Sequence, residues 1–467
     1  MAIIRYTNLE FDKEVSVQQR LIDTKERPEV THKVRKLLFF LKREGVFKTV
    51  NKIKSKGGTF QLQKWETLVT VEKGDDLYVN FSTQTTKDPA SFVLKNEFFK
   101  TEESFDIQEI SEDQNFNQFI DSETPEVMAL SLKETSQKEA TSEKEGVFIY
   151  GLGDYSRVYI APNIKSEKKL FCVDYNQPLT SHYKETFGYK NSGLLPKESY
   201  TALQNTERPL AIIATYHSDH TQIAKEIFET NPNAFIFIEK PPCVTKDDIK
   251  NLLALYEKGA QIEIGYNRRY IPLNKKIRDV FLKEQKVITI SVKEILINDS
   301  HWYFWPNQGT RITGNLTHWI DLAIFWIDGA PVEINVLPSP STDETIAVSI
   351  LFSEGSLVNI TVSDKGNSLR GVQERIEVRT KAETVSIEDY TTYKWTNESG
   401  AKSQNSKLIR DKGHDAMYKH LVKAYHNKEE INYTKQDVLK TATVTYLVSK
   451  MYREGIRNLK IAEQMQS

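Results

Sequence analysis

The sequence predicts an α/β chain. Its middle is a parallel sheet with helices on both faces. A strand-rich α/β domain follows, and a small α+β region precedes. Three observations predict this. Between residues 146 and 268, five short apolar runs (VFIY, LFCVD, LAIIAT, AFIFIE and IEIGY) are interleaved with amphipathic patterns such as HTQIAKEIFET and KDDIKNLLALYEKG. Buried runs separated by amphipathic helices are the signature of a parallel sheet covered on both sides. From residue 269 onward longer strand patterns dominate. Ahead of both, SLKETSQKEATSEKE at 131–145 is charged and free of aromatics, the composition of a linker.

The bulk numbers set bounds. The chain has 467 residues, 39% hydrophobic and 27% charged, with a formal net charge of -1. That is a globular composition with room for several domains and no global charge to attract nucleic acid. The two cysteines, Cys172 and Cys243, build neither a disulfide framework nor a cysteine-rich metal site. The start, MAIIRYTNLEFDKE, lacks the basic and apolar regions of a signal peptide. No apolar stretch approaches the roughly 20 residues that span a bilayer. A cytoplasmic protein without a membrane partner is expected.

Residues 1–130 form the accessory region. A basic helical pattern covers 31–56, and its LLFF and VF residues read as a packed face backed by a solvated one. Strand patterns WETLVTV, DLYVNFST and SFVLKNEFF follow. After the 131–145 linker comes the parallel-sheet domain, 146–268. The last domain, 269–467, carries strand patterns KVITISVKEILI, ETIAVSILF, SLVNITVS, ERIEVRT and ETVSIEDYTTYKW, with SEGS at 353–356 as a hairpin turn. A helix, NLTHWIDLAIFWI, stops at Gly329 before Pro331, and two helices at about 412–427 and 435–456 close the chain.

GLGDYS at 151–156 directly follows VFIY. A strand, a glycine turn and a helix start make the dinucleotide cradle of a Rossmann domain. Gly151 permits the tight turn, and Gly153 lets backbone approach a pyrophosphate. Ser156 stands where a third glycine is usual and is small enough to serve. Backbone N–H groups at the helix start, with Asp154 and Tyr155, would hold the cofactor. Asp174 ends the next strand about 20 residues on, where a carboxylate accepts from ribose hydroxyls and disfavours a 2′-phosphate. NAD is therefore expected in preference to NADP.

Further segments carry a family resemblance. IIATYHSDH (212–220), IFIEKPP, GYNRRY (265–270) and GTRITGNLTHWIDLAIFWIDGAP occur in that order. Over about 146–455 the chain resembles the Gfo/Idh/MocA oxidoreductases, which implies a Rossmann domain followed by a C-terminal α/β domain with an open, mostly antiparallel mixed sheet. GYNRRY, GTRITG and IRDKGHDA (409–416) resemble more narrowly the dehydrogenase half of two-part proteins associated with surface-polysaccharide synthesis. ERPEVTHKVRKLLFFLKREGVFKTVNKIKSK is similar to a segment of their other half, most of which is missing here.

The resemblance implies hydride transfer between nicotinamide and a sugar CH–OH carbon. Lys240 matches the lysine that binds the reacting hydroxyl, and Glu239 precedes it at the cofactor. His318 matches the acid/base histidine. Asp321, at i+3, orients it or serves structure. Thr215 and Tyr216 match a cofactor-lining Thr-Pro pair, with Tyr216 in place of the proline. Many relatives place an acidic residue one turn before the histidine. Here Gly314 and Asn315 stand there, and Asn315 can bind substrate but cannot take a proton.

Asn267 is expected beside nicotinamide and substrate. Arg268 and Arg269 either grip an anionic substrate group or form ion pairs at the domain interface. HWYFW at 301–305, with Trp305, stacks on a substrate ring or packs in the core. His220 is expected to be structural, and no metal site is expected.

The expected activity is an NAD-dependent sugar or nucleotide-sugar dehydrogenase. Its open sheet is expected to serve as a homo-oligomer interface. A redox-neutral, NAD-dependent glycoside cleavage and a non-catalytic NAD-binding scaffold are the alternatives.

Overall fold

The computed structural model describes residues 142–294, 308, 310–339, 345–366, 371–405 and 410–461, together with six strands in the first third. The basic stretch 31–56, the residues 131–141, and the segment 301–305 with Trp305 lie outside the described residues.

The first six strands are β1 (Ile3–Tyr6), β2 (Glu14–Leu21), β3 (Trp65–Lys73), β4 (Asp76–Gln84), β5 (Phe98–Thr101) and β6 (Val127–Met128). They pair in sequence order, each antiparallel to the next.

The second sheet is parallel throughout. It contains β7 (Glu143–Tyr150), β8 (Lys169–Val173), β9 (Asn191–Gly193), β10 (Thr206–Ile213), β11 (Phe235–Ile238) and β12 (Gln261–Ile264), in the order β12-β11-β10-β7-β8-β9. This is the Rossmann order, with its topological switch between β7 and β10. The apolar runs are buried on both faces, as a helix-covered parallel sheet requires. β7 starts at Glu143, inside the charged stretch expected to be linker. Glu143 pairs in register with Thr206 and is bound by Lys168 and Lys190.

The third sheet contains β13 (Val287–Lys293), β14 (Pro331–Pro338), β15 (Ile346–Phe352), β16 (Leu357–Ser363), β17 (Gln373–Arg379), β18 (Thr384–Glu388), β19 (Thr392–Asn397), β20 (Gly400–Asn405) and β21 (Asn458–Lys460). Its order is β20-β19-β18-β17-β13-β16-β15-β14-β21, antiparallel except for the β13–β16 pair. The mixed, mostly antiparallel sheet is as expected. SEGS is the β15–β16 turn, closed by Phe352 N–H to Ser356 O at 2.9 Å. ETVSIEDYTTYKW forms two strands rather than one, because Asp389 and Tyr390 turn the chain at positive φ.

The helix Lys435–Glu454 joins the two later cores. Its Val438 and Ala442 pack in the parallel-sheet core, and its Val444, Leu447, Val448 and Met451 pack in the mixed-sheet core. Thr317, at the start of the helix Thr317–Trp326, hydrogen-bonds both Tyr266 and Thr445. The two sheets thus bear on the cleft where β7, β10 and β11 end. No helix among the described residues is long and apolar enough to cross a membrane.

Candidate active site

The cleft begins where three strands end together. Gly151 N–H donates to Val173 O at 2.9 Å, and Ala214 N–H donates to Tyr150 O at 2.7 Å. Gly151 has φ +91, and a Cβ there would lie 2.3 Å from the Ala214 carbonyl oxygen, so only glycine fits. Gly153 is the opposite case: a Cβ there meets no atom within 4 Å. The backbone is bare on the side where a pyrophosphate would approach.

Ser156 is buried, and its hydroxyl donates to Gly151 O at 2.7 Å. The helix expected after the turn is reduced to one wide turn, Ser156–Ile160, closed by Ala161 N–H to Ser156 O at 2.9 Å. The cradle therefore depends on the turn more than on a long helix dipole. Asp154 is exposed and paired with Arg157. Asp174 binds the turn itself: it accepts from Leu152 N–H at 2.7 Å and from Asn176 N–H at 2.9 Å. A carboxylate at the end of β8 thus faces the glycine loop.

The loop after β10 carries Thr215 and Tyr216. Tyr216 has φ −67, the value a proline would impose, so the substitution keeps the loop's shape. His220 is buried, with Nδ1 2.7 Å from Pro241 O and Nε2 3.2 Å from Thr215 O. It clasps this loop to the Glu239–Pro241 loop, the structural part expected of it. His217 Nδ1 lies 3.2 Å from Gln308 O.

Glu239 is buried beneath the same loops. Burial pushes its carboxyl up to about 7, although it accepts from the Tyr418 hydroxyl. The Tyr418 hydroxyl oxygen also lies 3.2 Å from the Tyr155 hydroxyl, and Tyr159 stacks on His414 at 4.6 Å. Tyr155 is thereby tied to the closing helix His414–Tyr425. Gly265 makes room for Glu239, since a Cβ there would lie 2.8 Å from Oε2.

Lys240 Nζ donates to Gly314 O at 2.8 Å. Burial brings its ammonium down to about 8, partly offset by Glu239 and Glu294. Gly314 and Asn315 lie in a wide turn, Ile312–Leu316, that leads into the helix carrying His318. Burial, then the charges of Arg268, Lys240, His414 and Lys412, hold His318 well below the usual histidine range. Its Nδ1 has no hydrogen-bond partner among the described residues. Lys240, Asn315 and His318 are each partly exposed, and the Lys240–Gly314 bond joins the lysine to the turn that carries the other two.

Four candidate residues are engaged by the protein itself, which for Arg268, Arg269 and Asp321 is the structural one of their two readings. Arg268 forms a two-pronged pair with Glu374 at 2.8 and 3.0 Å and lies over the Trp319 ring, so its fork is taken by the protein. Arg269 is bound by Asp321 and Asp437. Asp321 accepts from Arg269, Tyr433 and Thr441 and belongs to that buried cluster, not to His318. Asn267 donates to Lys412 O at 2.6 Å and spends its amide on the segment before the closing helix. A Cβ on Gly413 would lie 2.3 Å from Asn267 O, which explains the glycine of KGHDA.

Sequence reasoning missed Glu294, Glu374, Lys412 and His414. Two of them left a local signal. The alternation of β13 puts Glu294 on the buried side with Ile288, Ile290 and Val292, and that of β17 puts Glu374 there with Ile376 and Val378, where a carboxylate is out of place.

The fold pairs a Rossmann-type parallel sheet with a mixed, mostly antiparallel sheet. Solved structures share it. GenD2 from gentamicin A biosynthesis, in complex with NAD, is 16% identical, with a TM-score of 0.56 over 71% of this chain and 99% of that one. UDP-N-acetylglucosamine 3-dehydrogenase GnnA from Acidithiobacillus ferrooxidans is 13% identical, with a TM-score of 0.55 over 65% of this chain and 96% of that one. These likenesses show the fold. In sequence, the uncharacterized oxidoreductase YrbE of Bacillus subtilis (strain 168) is 26% identical over 175 residues, 34% of this chain and 49% of YrbE. The match thus spans about half the length of that curated relative. No family model matches the chain.

Proposed function

We propose that this chain is an NAD-dependent oxidoreductase acting on a hydroxyl-bearing carbon of a sugar or nucleotide sugar. The observation that carries the reading is the 2.8 Å bond from Lys240 Nζ to the Gly314 carbonyl, which sets this lysine, its ammonium brought down to about 8, against the turn that leads into the helix of a neutral His318. Both groups exchange protons near neutrality or below, as alcohol–carbonyl interconversion requires.

The residues present fit a dinucleotide. Gly153 leaves its backbone bare, Asp174 at the end of β8 would take the ribose hydroxyls, and Tyr155, Thr215 and Tyr216, backed by Glu239, would line the way to Lys240. A bound nicotinamide would accept or return the hydride of the reacting carbon. Lys240 Nζ would hydrogen-bond the reacting oxygen, and its charge would stabilise alkoxide character there. In its neutral form the same amine takes the hydroxyl proton. His318, whose ring is partly exposed, would be the second proton acceptor. Asn315 contributes a hydrogen bond and no proton transfer. Asp174 favours NAD over NADP, since a 2′-phosphate would meet its negative charge.

In this reading residues 146–268 are the cofactor domain and 269–467 the substrate domain. The open face of the third sheet is a subunit interface, and the setting is cytoplasmic polysaccharide synthesis. Residues 1–130 are an accessory region.

The test is a screen of sugars and nucleotide sugars for reduction of NAD, read by nicotinamide absorbance, with Lys240→Met and His318→Ala as controls. The reading expects one class of sugar to reduce NAD and both variants to lose turnover. Unchanged turnover in both would overturn the site assignment.

A further inference from the structure

Glu294 directly follows β13 and is fully buried, on the same face as the core residues Ile288, Ile290 and Val292. Burying a carboxylate costs several kcal/mol unless partners compensate. Its partners belong to the candidate active site. Asn315 Nδ2 donates to Glu294 Oε2 at 2.9 Å. The cations whose charges act on it are Arg311, Lys412, Lys240 and Arg268, and they oppose the upward push of burial on its carboxyl. Three of those four form ion pairs with other carboxylates: Arg311 lies 3.6 Å from Asp364, and Arg268 and Lys412 both bind Glu374. The Lys240 ammonium rests on the neutral Gly314 carbonyl, next in sequence to Asn315, and the carboxylates that favour its charge are Glu239 and then Glu294.

This geometry fixes a choice that Asn315 alone leaves open. An ionised carboxylate only accepts, so the Asn315 amide must turn its NH2 to Glu294. Its Oδ1 is then left for a donor on the other side. Glu294 lies behind this layer, while Asn315 and Lys240 are partly exposed. It therefore acts through them and not on substrate.

We propose that Glu294 is a positioning residue of this site: it locks the Asn315 amide with Oδ1 offered to a substrate hydroxyl, and its charge holds the Lys240 ammonium. The acid missing from the turn before His318 is thus supplied from the neighbouring strand, through space. The inference rests on the reading of Lys240 and Asn315 as substrate-facing groups.

The test is a reciprocal swap, with Glu294→Gln, Asn315→Asp and the double variant. Asn315→Asp sets two carboxylates together, and kcat/KM should fall about tenfold or more, a typical coupling for a contacting pair. The double variant restores one amide and one carboxylate and should recover most of that loss. A second readout needs no turnover. Amine-directed acylation of Lys240 near pH 8, followed peptide by peptide in the cofactor-free protein, should be several-fold faster in Glu294→Gln, because removing the anion favours the neutral amine. Melting temperatures report folding. If Glu294→Gln melts too low, Glu294→Asp, which withdraws the carboxylate by one methylene, replaces it and should speed Lys240 acylation in the same direction by a smaller factor.

Two null results together would overturn the proposal: no recovery in the double variant, and Lys240 reactivity indifferent to residue 294. Lys240→Met separates the layers. If it abolishes turnover while those two results are null, only the part given to Glu294 falls. If it leaves turnover intact, the functional reading itself falls.

Discussion

The Ser156 hydroxyl donates to the Gly151 carbonyl at 2.7 Å, so the residue standing in for a third glycine braces the turn. The turn then depends on two glycines for different reasons, and substitution separates them. Gly151→Ala puts a Cβ against the Ala214 carbonyl at φ +91 and should cost more than about 1 kcal/mol, lowering the melting temperature. Gly153→Val meets open space and has no positive φ to strain. It should melt like the wild type yet lose NAD binding. A Gly153→Val protein that binds NAD normally would remove the pyrophosphate from this turn.

Asp174 holds Leu152 N–H at 2.7 Å and is the charge nearest the expected ribose. Asp174→Asn keeps an acceptor and drops the charge. The preference for NAD over NADP should narrow by about tenfold, the worth of one charged hydrogen bond. Calorimetric titration with both cofactors measures it.

Lys240 sets a pH dependence. Its folded value is depressed to about 8, so the neutral amine is the minor form at pH 7 and the major form above pH 8. Sugar oxidation, which needs a proton acceptor, should rise with pH and level off above about 8. Carbonyl reduction, which needs the ammonium, should fall through the same range. Lys240→Arg, charged throughout, should lose this step in the initial-rate profile.

Glu374 anchors the cleft's cations. Burial pushes its carboxyl up, but Arg268 and Lys412 outweigh it and bring it to about 2, against 4.5 for the free group. A depressed carboxylate stabilises the fold above its unfolded value, and that stabilisation is lost as pH falls from about 4.5 towards 2. Glu374→Gln should cost about 3–5 kcal/mol at pH 7, because it strands Arg268. The gap in melting temperature from wild type should shrink steadily below pH 4.5.

Much of the fold was legible because its strands announce themselves. VFIY, LFCVD, LAIIAT, AFIFIE and IEIGY are buried on both faces and read as continuous apolar runs. Asn191–Gly193 was not legible: three small or polar residues at a sheet edge carry no pattern. The exposed strand Gly400–Asn405 was hidden for the same reason. In the cleft, Lys240 and His318 stood out by motif, and Glu294 could have been found from strand alternation. Lys412 could not, since it meets Asn267 across 145 residues of sequence. The ambiguity over Arg268 and Arg269 turned on Glu374, Asp321 and Asp437, and no local pattern links those partners.

The central claim is that the Gly151–Gly153 turn and Asp174 hold a nicotinamide dinucleotide above Lys240. Calorimetric titration of NAD into the wild-type protein and into Gly153→Val tests it most directly. The account predicts saturable binding well below millimolar cofactor in the wild type and none in the variant at an unchanged melting temperature. No binding by the folded wild-type protein at millimolar NAD would contradict it.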